Sequence, residues 1–178
     1  KLKSQRNSIG YAVGFAFPTS DNQVVEIDPD SAFRVNPIPM EAMRKELFQH
    51  HLMLIYTGIS RTASDVAKSQ IESIPQKEQV MREIQDMVSE ATKILAGTGD
   101  LNDFGRLLHQ SWLLKKSISN MITTSVVDDM YEKAIGAGAL GGKLLGAGGG
   151  GFMIFFVEPG LHQQVLDALD EFLLVPFE

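Results

Sequence analysis

The most informative stretch of this chain runs from residue 136 to residue 152, Gly136-Ala-Gly-Ala-Leu-Gly-Gly-Lys-Leu-Leu-Gly-Ala-Gly-Gly-Gly-Gly-Phe152. It holds nine of the 16 glycines of the chain. Apolar segments flank the glycine run, so we predict two strands, 141–146 and 151–157, joined by a glycine loop. Glycine reaches positive φ at little steric cost. Successive N–H groups of such a loop can therefore point into one concavity and hold an anion such as phosphate.

Two standard nucleotide motifs fit the stretch poorly. A Walker A loop needs glycine where the chain has Ala137 and a hydroxyl where it has Leu144. The pattern G-x-G-x-x-G occurs from Gly136 and from Gly146, but neither copy has the strand–turn–helix setting of a dinucleotide fold. From the residues alone, a phosphate loop and a glycine-lined hairpin that allows close backbone packing remain equal alternatives.

The sequence on both sides of this stretch predicts an α+β fold. Apolar spacing and capping residues place helices at 41–50, from 62 or 64 to 73, and at 80–95, 104–118, 125–137 and 159–172. Further strands are predicted at 11–17, 24–27, 33–35, 52–56 and 174–175. Ser125 and Asp128 resemble a capping box at the start of the helix at 125–137. Strands at both ends of a helical block predict an antiparallel sheet with helices packed on one face, preceded by a short β segment.

Composition excludes several classes of function. A net charge of −6 argues against nucleic acid as a partner. The apolar run at 152–157 is far too short to span a bilayer, so we expect no membrane partner. The absence of cysteine excludes disulfides and thiolate zinc sites and is consistent with the cytoplasm, the location that we expect.

The remaining charged and metal-binding candidates have simpler interpretations. The basic pairs Arg44-Lys45 and Lys115-Lys116 are interpreted as solvated helix faces. The adjacent pair His50-His51 has no third ligand spaced nearby, and no metal site is predicted. The chain starts without methionine and stops in a predicted strand, so we expect a fragment of a longer protein.

The segment Lys143-Leu-Leu-Gly-Ala-Gly-Gly-Gly-Gly-Phe152 resembles the third motif of GHMP kinases, K-x-x-G-A-G-G-G-G. Leu54-Ile-Tyr-Thr-Gly-Ile-Ser-Arg-Thr-Ala-Ser64 resembles the strand and loop that open the C-terminal half of the heptose 7-phosphate kinases in that superfamily. The resemblance implies residual strands of an N-terminal kinase domain at 1–40 and a GHMP kinase C-terminal domain at 41–178. It also implies ATP and Mg²⁺ as cofactors, bound mainly by the absent N-terminal part. The implied activity is transfer of the ATP γ-phosphate to a hydroxyl of a sugar or sugar phosphate.

The resemblance also implies the site residues. The expected phosphate-binding loop consists of Gly146, Ala147, Gly148, Gly149 and Gly150. The expected substrate-binding residues are Thr57, Gly58, Ser60 and Arg61, whose guanidinium suits a phosphate. Such kinases use an aspartate near the start of this region, where the chain aligns Arg6, so no catalytic residue is predicted.

Three alternatives stay open at this point. The acceptor could be fucose, galactose or mevalonate, because kinases for these compounds share the glycine motif. A non-catalytic module that binds phosphate or a metabolite is favoured if Arg6 does replace the aspartate. A purely structural partner domain would use the glycines for close packing alone.

Overall fold

Two antiparallel sheets organise the chain in the computed structural model, which describes residues 14–16, 23–27, 33–60 and 63–176. The first sheet has the order β1-β2-β3. Its strands are β1 (Gly14–Ala16), β2 (Gln23–Ile27) and β3 (Phe33–Pro37). The predicted strands at 24–27 and 33–35 are confirmed, and the strand predicted at 11–17 falls within the described residues only at 14–16.

The second sheet carries the glycine loop. Its strands are β4 (Leu52–Tyr56), β5 (Gly141–Leu144), β6 (Phe152–Phe156) and β7 (Leu173–Val175). They are arranged in the order β5-β6-β4-β7, and every neighbouring pair is antiparallel. The chain enters β4, passes through the helical block, forms the hairpin of β5 and β6, and returns through one helix to β7. This succession is a β-α-β-β-α-β arrangement with extra helices inserted after its first strand.

Six α-helices accompany the sheets in the described part of the chain. They are α1 (Ala42–His50), α2 (Ala63–Ser73), α3 (Glu78–Ala96), α4 (Asn102–Lys116), α5 (Ser125–Gly136) and α6 (His162–Ala168). Short 3₁₀ turns follow α2 and precede α6, each with a proline in it. None of the helices in these described segments is long and apolar enough to cross a membrane.

Two sequence predictions about helix ends are corrected. The last helix stops at Ala168 rather than Phe172, because a turn in which the Phe172 N–H donates to the carbonyl of Leu169 leads back to β7. The N-cap of α5 is Thr124, whose hydroxyl accepts from the N–H of Val127 at 3.3 Å. Asp128 is not the partner of a capping box; it pairs instead with Lys116 and accepts from the Thr123 hydroxyl.

The core lies on both faces of the second sheet. On β6, Met153 and Phe155 face the cluster that includes residues of α5 and α6, while Ile154 and Phe156 face a second cluster. Helices α1, α3 and α4 supply much of that second cluster, in which the Phe48 ring meets Phe104 edge-on with 5.0 Å between centroids. The α+β class is confirmed, and the structure adds a second helical layer to the predicted one.

Helix α4 lies very close to β5, and this contact sets the position of the glycine loop. A β-carbon at Gly141 would lie 2.0 Å from the carbonyl oxygen of Gly105 in α4. A β-carbon at Gly105 would in turn lie 2.7 Å from the Phe156 ring. Only residues without side chains permit this approach at both positions. As a result, the C-terminal turn of α4 ends beside the point where β5 enters the loop.

Candidate phosphate-binding site

The glycine loop, residues 146–151, connects β5 to β6 and has a shape that only glycine permits at its centre. Gly148 has a φ of 119°, which side-chain-bearing residues rarely adopt. A β-carbon there would also lie 2.8 Å from the carbonyl oxygen of Ile122. The next residue, Gly149, donates its N–H to that same oxygen at 2.8 Å. The loop is thus pressed against the segment that precedes α5.

A second segment, residues 57–60 after β4, holds the other end of the glycine loop. The N–H and the hydroxyl of Thr57 both donate to the carbonyl of Gly151 at 2.9 Å. The Gly151 N–H donates to the carbonyl of Ile59 at 2.8 Å. The Thr57 hydroxyl also accepts from the N–H of Ile59 at 3.2 Å. Thr57 is buried, and its hydroxyl both donates and accepts a hydrogen bond at the junction of the two segments.

Side-chain donors bind the carbonyls in the first half of the glycine loop. The ammonium of Lys115, in the last turn of α4, donates to the carbonyls of Leu144 at 3.2 Å and Gly146 at 2.8 Å. The side-chain amide of Gln70, from α2, donates to the carbonyl of Ala147. Helices that are distant in sequence therefore converge on the loop from the carbonyl side.

Several N–H groups of the loop remain available for a ligand. Within the segments that the structure describes, the N–H groups of Gly146, Ala147 and Gly150 form no hydrogen bond. Backbone N–H groups that are not paired within the protein are the donors that bind phosphate in glycine-rich loops. The pairing of the carbonyls and the freedom of these N–H groups give the loop the polarity of an anion-binding site.

Positive charge accumulates where β5 enters the loop. Burial, and to a lesser extent the nearby Lys143 ammonium, lower the pKa of Lys115 to about 8. Burial also lowers the pKa of Lys143, which borders a cavity of about 40 Å³ between α3 and α4. Neither lysine forms an ion pair with an acidic residue of the described ranges. An anion bound at the loop would bring negative charge close to the Lys115 ammonium group, which bonds the loop.

The structure brings most of the predicted site residues together. The loop residues 146–150 and Thr57 are joined through Gly151, and Gly58 and Ser60 are exposed on the same connecting segment. Arg61 and Arg6 lie outside the described residues. The predicted binding roles of all these residues remain predictions.

Sequence reasoning missed the groups that support the loop. Lys115 was expected on a solvated helix face, but it is partly buried and bonded to the loop, because α4 ends against β5. The interpretation of Arg44 is likewise wrong: its guanidinium donates to the carbonyls of Ile94 and Leu95 at the end of α3. Neither basic pair, Arg44-Lys45 or Lys115-Lys116, shows a sequence pattern that would indicate these contacts. Such contacts depend on tertiary packing.

A larger concavity lies away from the loop. It has a volume of about 550 Å³ between α1 and the end of α3, with Glu46, His50 and Thr98 among its lining residues. The guanidinium of Arg44, which lines this concavity, already donates to backbone carbonyls. The concavity therefore offers an anion fewer unpaired donors than the glycine loop does. No group of three or more histidine or acidic side chains that could hold a metal ion occurs in the described ranges.

The topology and the loop together define an α+β domain of the β-α-β-β-α-β type with a glycine loop between its second and third strands. Residues 87–173 match the family model described as GHMP kinases C terminal. This part of the chain, which includes the whole glycine loop, is therefore similar to the C-terminal domain of GHMP kinases.

A curated relative and solved structures are also similar to this chain. The chain is 29% identical over 137 residues to the D-glycero-alpha-D-manno-heptose 7-phosphate kinase of Campylobacter jejuni, covering 76% of this chain and 40% of that kinase. The crystal structure of L. major mevalonate kinase has a TM-score of 0.72 at 18% identity, covering 86% of this chain and 48% of that one. A heptose 1-phosphate kinase of B. thetaiotaomicron has a TM-score of 0.62 at 23% identity, covering 88% and 42%. The chain thus spans less than half the length of these relatives.

Proposed function

We propose that this chain is the C-terminal part of an ATP-dependent kinase that transfers the γ-phosphate of ATP to a hydroxyl of a sugar or sugar phosphate, with an acceptor similar to heptose 7-phosphate. The observation that carries the proposal is the polarity of the glycine loop. Its carbonyls are held by Lys115 and Gln70, while the N–H groups of Gly146, Ala147 and Gly150 have no partner in the described segments.

This polarity suits phosphoryl transfer. Catalysis of that reaction depends mainly on positioning and on stabilisation of the charge of the transferred group. N–H donors that are fixed before the substrate arrives stabilise such charge without reorganisation. In this proposal Thr57 holds the loop through its hydrogen bonds to Gly151. Gly58, Ser60 and Arg61 bind the sugar phosphate. The loop residues 146–150 face the phosphate groups.

In this proposal the described residues bind the phosphates of ATP, and another part of the protein binds Mg²⁺. The unpaired N–H groups of the loop and the nearby ammonium group of Lys115 suit the phosphates of ATP. ATP supplies the phosphoryl group, and Mg²⁺ neutralises its charge. We propose that Mg²⁺ is bound by the nucleotide and by the domain that precedes residue 41 in the complete protein, as the resemblance to GHMP kinases implies.

The identity of the acceptor rests on the relative from C. jejuni and on the resemblance of residues 54–64 to heptose 7-phosphate kinases. Calorimetric titration of the chain with heptose 7-phosphate, galactose and R-mevalonate tests it. We expect measurable binding of the heptose phosphate and weaker binding of the other two. Preference for mevalonate or galactose would assign the chain to a kinase with another acceptor.

Two glycine variants test whether binding occurs at the loop. Gly148→Ala places a methyl group against Ile122 and should weaken binding of the sugar phosphate at least about tenfold, the effect of roughly 1.4 kcal/mol. Gly160→Ala is the matched control, because no atom lies within 4 Å of a β-carbon at this position. Equal affinity of the two variants would contradict a phosphate site at the loop.

A further inference from the structure

We propose that Lys115 is a positioning residue that holds the first half of the glycine loop by its carbonyls and so determines how well the loop binds phosphate. This inference rests on the proposed function. Lys115 lies in the last turn of α4, and its ammonium bonds the carbonyls of Leu144 at 3.2 Å and Gly146 at 2.8 Å. These carbonyls bracket the point where β5 becomes the loop.

The bonds from Lys115 act on the backbone that carries the free N–H groups. The peptide unit between Gly146 and Ala147 contains both the carbonyl of Gly146 and the N–H of Ala147, so fixing the first fixes the second. The side chain of Gln70 fixes the next carbonyl, that of Ala147. An ammonium group forms stronger bonds to carbonyls than a neutral donor does, because the bonds are charge-assisted. Lys115 is therefore the stronger of the two supports.

Lys115 does not have the usual role of a basic residue in the last turn of a helix. Such residues commonly bond the last carbonyls of their own helix. At the end of α4, the N–H groups of Ser117 and Ile118 already bond the carbonyls of Leu113, Leu114 and Lys115 itself. The Lys115 side chain instead crosses to another element of the fold, over a sequence separation of about thirty residues.

The surroundings of Lys115 make its charge sensitive to a bound anion. From β5, the Lys143 ammonium faces it and repels it. On α4, the adjacent Lys116 is paired with Asp128 of α5, and α2 contributes the neutral Gln70. The side chains of α3 around Lys143, Ile84, Met87 and Val88, are apolar. A phosphate at the loop therefore stabilises the protonated form of Lys115, and by linkage protonated Lys115 favours phosphate binding.

Backbone NMR of the 178-residue chain with inorganic pyrophosphate as the probe tests this proposal. In the free wild-type protein, the amide signals of Ala147 and Gly148 should titrate with a midpoint near pH 8, where Lys115 loses its proton. The same signals should move in Lys115→Met at pH 7 and lose that titration. Lys115→Arg keeps a charged donor and should restore the wild-type signals.

Binding of pyrophosphate gives the second measurement. At pH 7 we expect Lys115→Met to bind at least about fivefold more weakly than wild type, and Lys115→Arg to bind within about twofold of it, the size of effect that one charge-assisted bond produces. Lys93→Met, on an exposed face of α3, is the control and should match wild type. In wild type, affinity should fall as the pH rises through 8.

The outcomes separate this inference from the proposed function. If Lys115→Met leaves the loop amides and the pyrophosphate affinity unchanged, Lys115 does not position the loop. If wild-type protein fails to bind pyrophosphate, the proposed phosphate site at the loop is overturned, and the amide signals alone then decide the positioning role. If Lys115→Arg restores neither the wild-type amide signals nor the wild-type pyrophosphate affinity, the positive charge at residue 115 does not position the loop.

Discussion

Replacement of Gly148 by alanine combines an unfavourable backbone conformation with a steric contact to backbone atoms. The φ of 119° at this residue disfavours any residue with a β-carbon, at a cost of at least about 1–2 kcal/mol. The new methyl group would lie 2.8 Å from the carbonyl oxygen and 3.0 Å from the Cα of Ile122, both backbone atoms that cannot rotate away. Relief of this contact requires the loop to move from the segment that precedes α5.

That movement breaks a hydrogen bond as well. The N–H of Gly149 donates to the same Ile122 oxygen at 2.8 Å, and loss of such a bond costs about 1 kcal/mol. The two effects together predict that Gly148→Ala lowers the free energy of unfolding by about 2–3 kcal/mol. Gly146→Ala is the graded comparison: its φ is 73° and no atom lies within 4 Å of the new methyl group, so about 1–2 kcal/mol is expected.

Urea denaturation followed by fluorescence measures these differences, because the chain has one tryptophan, Trp112, and it is fully buried. Gly160→Ala should change the free energy of unfolding by less than about 0.5 kcal/mol, as surface substitutions usually do. Equal destabilisation by Gly146→Ala and Gly148→Ala would show that the contact with Ile122 does not contribute to the loss of stability. A Gly148→Ala protein as stable as wild type would refute the described packing of the loop.

Three further predictions concern the supports around the loop. Thr57→Val removes the hydroxyl that bonds Gly151 and Ile59 and should lower the free energy of unfolding by about 1–3 kcal/mol in urea denaturation, whereas Thr57→Ser should lose less than half as much. Thr124→Ala removes the N-cap of α5 and should cost about 1 kcal/mol by the same measurement, with Thr124→Ser near wild type; equal loss in both would show that the hydroxyl does not cap the helix. Burial lowers the pKa of Lys115 from its ordinary value of 10.5 to about 8 in the folded protein. Between pH 8 and pH 10.5 the unfolded chain therefore binds more protons than the folded chain does. Wild-type stability should therefore rise from pH 8 to pH 10.5 relative to Lys115→Met, by at most about 3 kcal/mol, and a fall over that range would contradict the burial of the ammonium.

Much of the fold could be predicted because local patterns decide it. Strand β4 has the predicted limits, since a short apolar run with a glycine turn after it is typical of a buried strand. Helix α3 shows apolar residues at spacings of three and four, and it ends before Gly97 as predicted. The second helical layer was not predicted, because periodicity indicates which side of a helix is apolar and not which face of a sheet it covers.

The candidate site was predictable in its glycines and not in its supports. The concentration of glycines between two apolar strands located the loop, because few other structures tolerate so many of them. The contacts from Lys115 and Gln70 were not predictable, since their partners lie 29 and 77 residues away in the sequence. The sequence of a basic pair at the end of a helix is the same whether the pair faces water or contacts a buried loop. Here the close approach of Gly105 to Gly141 brings the end of α4 against the loop.

Chemical-shift mapping of the chain with heptose 7-phosphate tests the central claim, that the glycine loop binds phosphate through its backbone, most directly. We expect saturable changes in the amide signals of Gly146, Ala147 and Gly150, and their loss in Gly148→Ala but not in Gly160→Ala. Changes confined to the concavity between α1 and the end of α3, or unchanged loop signals at saturating ligand, would contradict it.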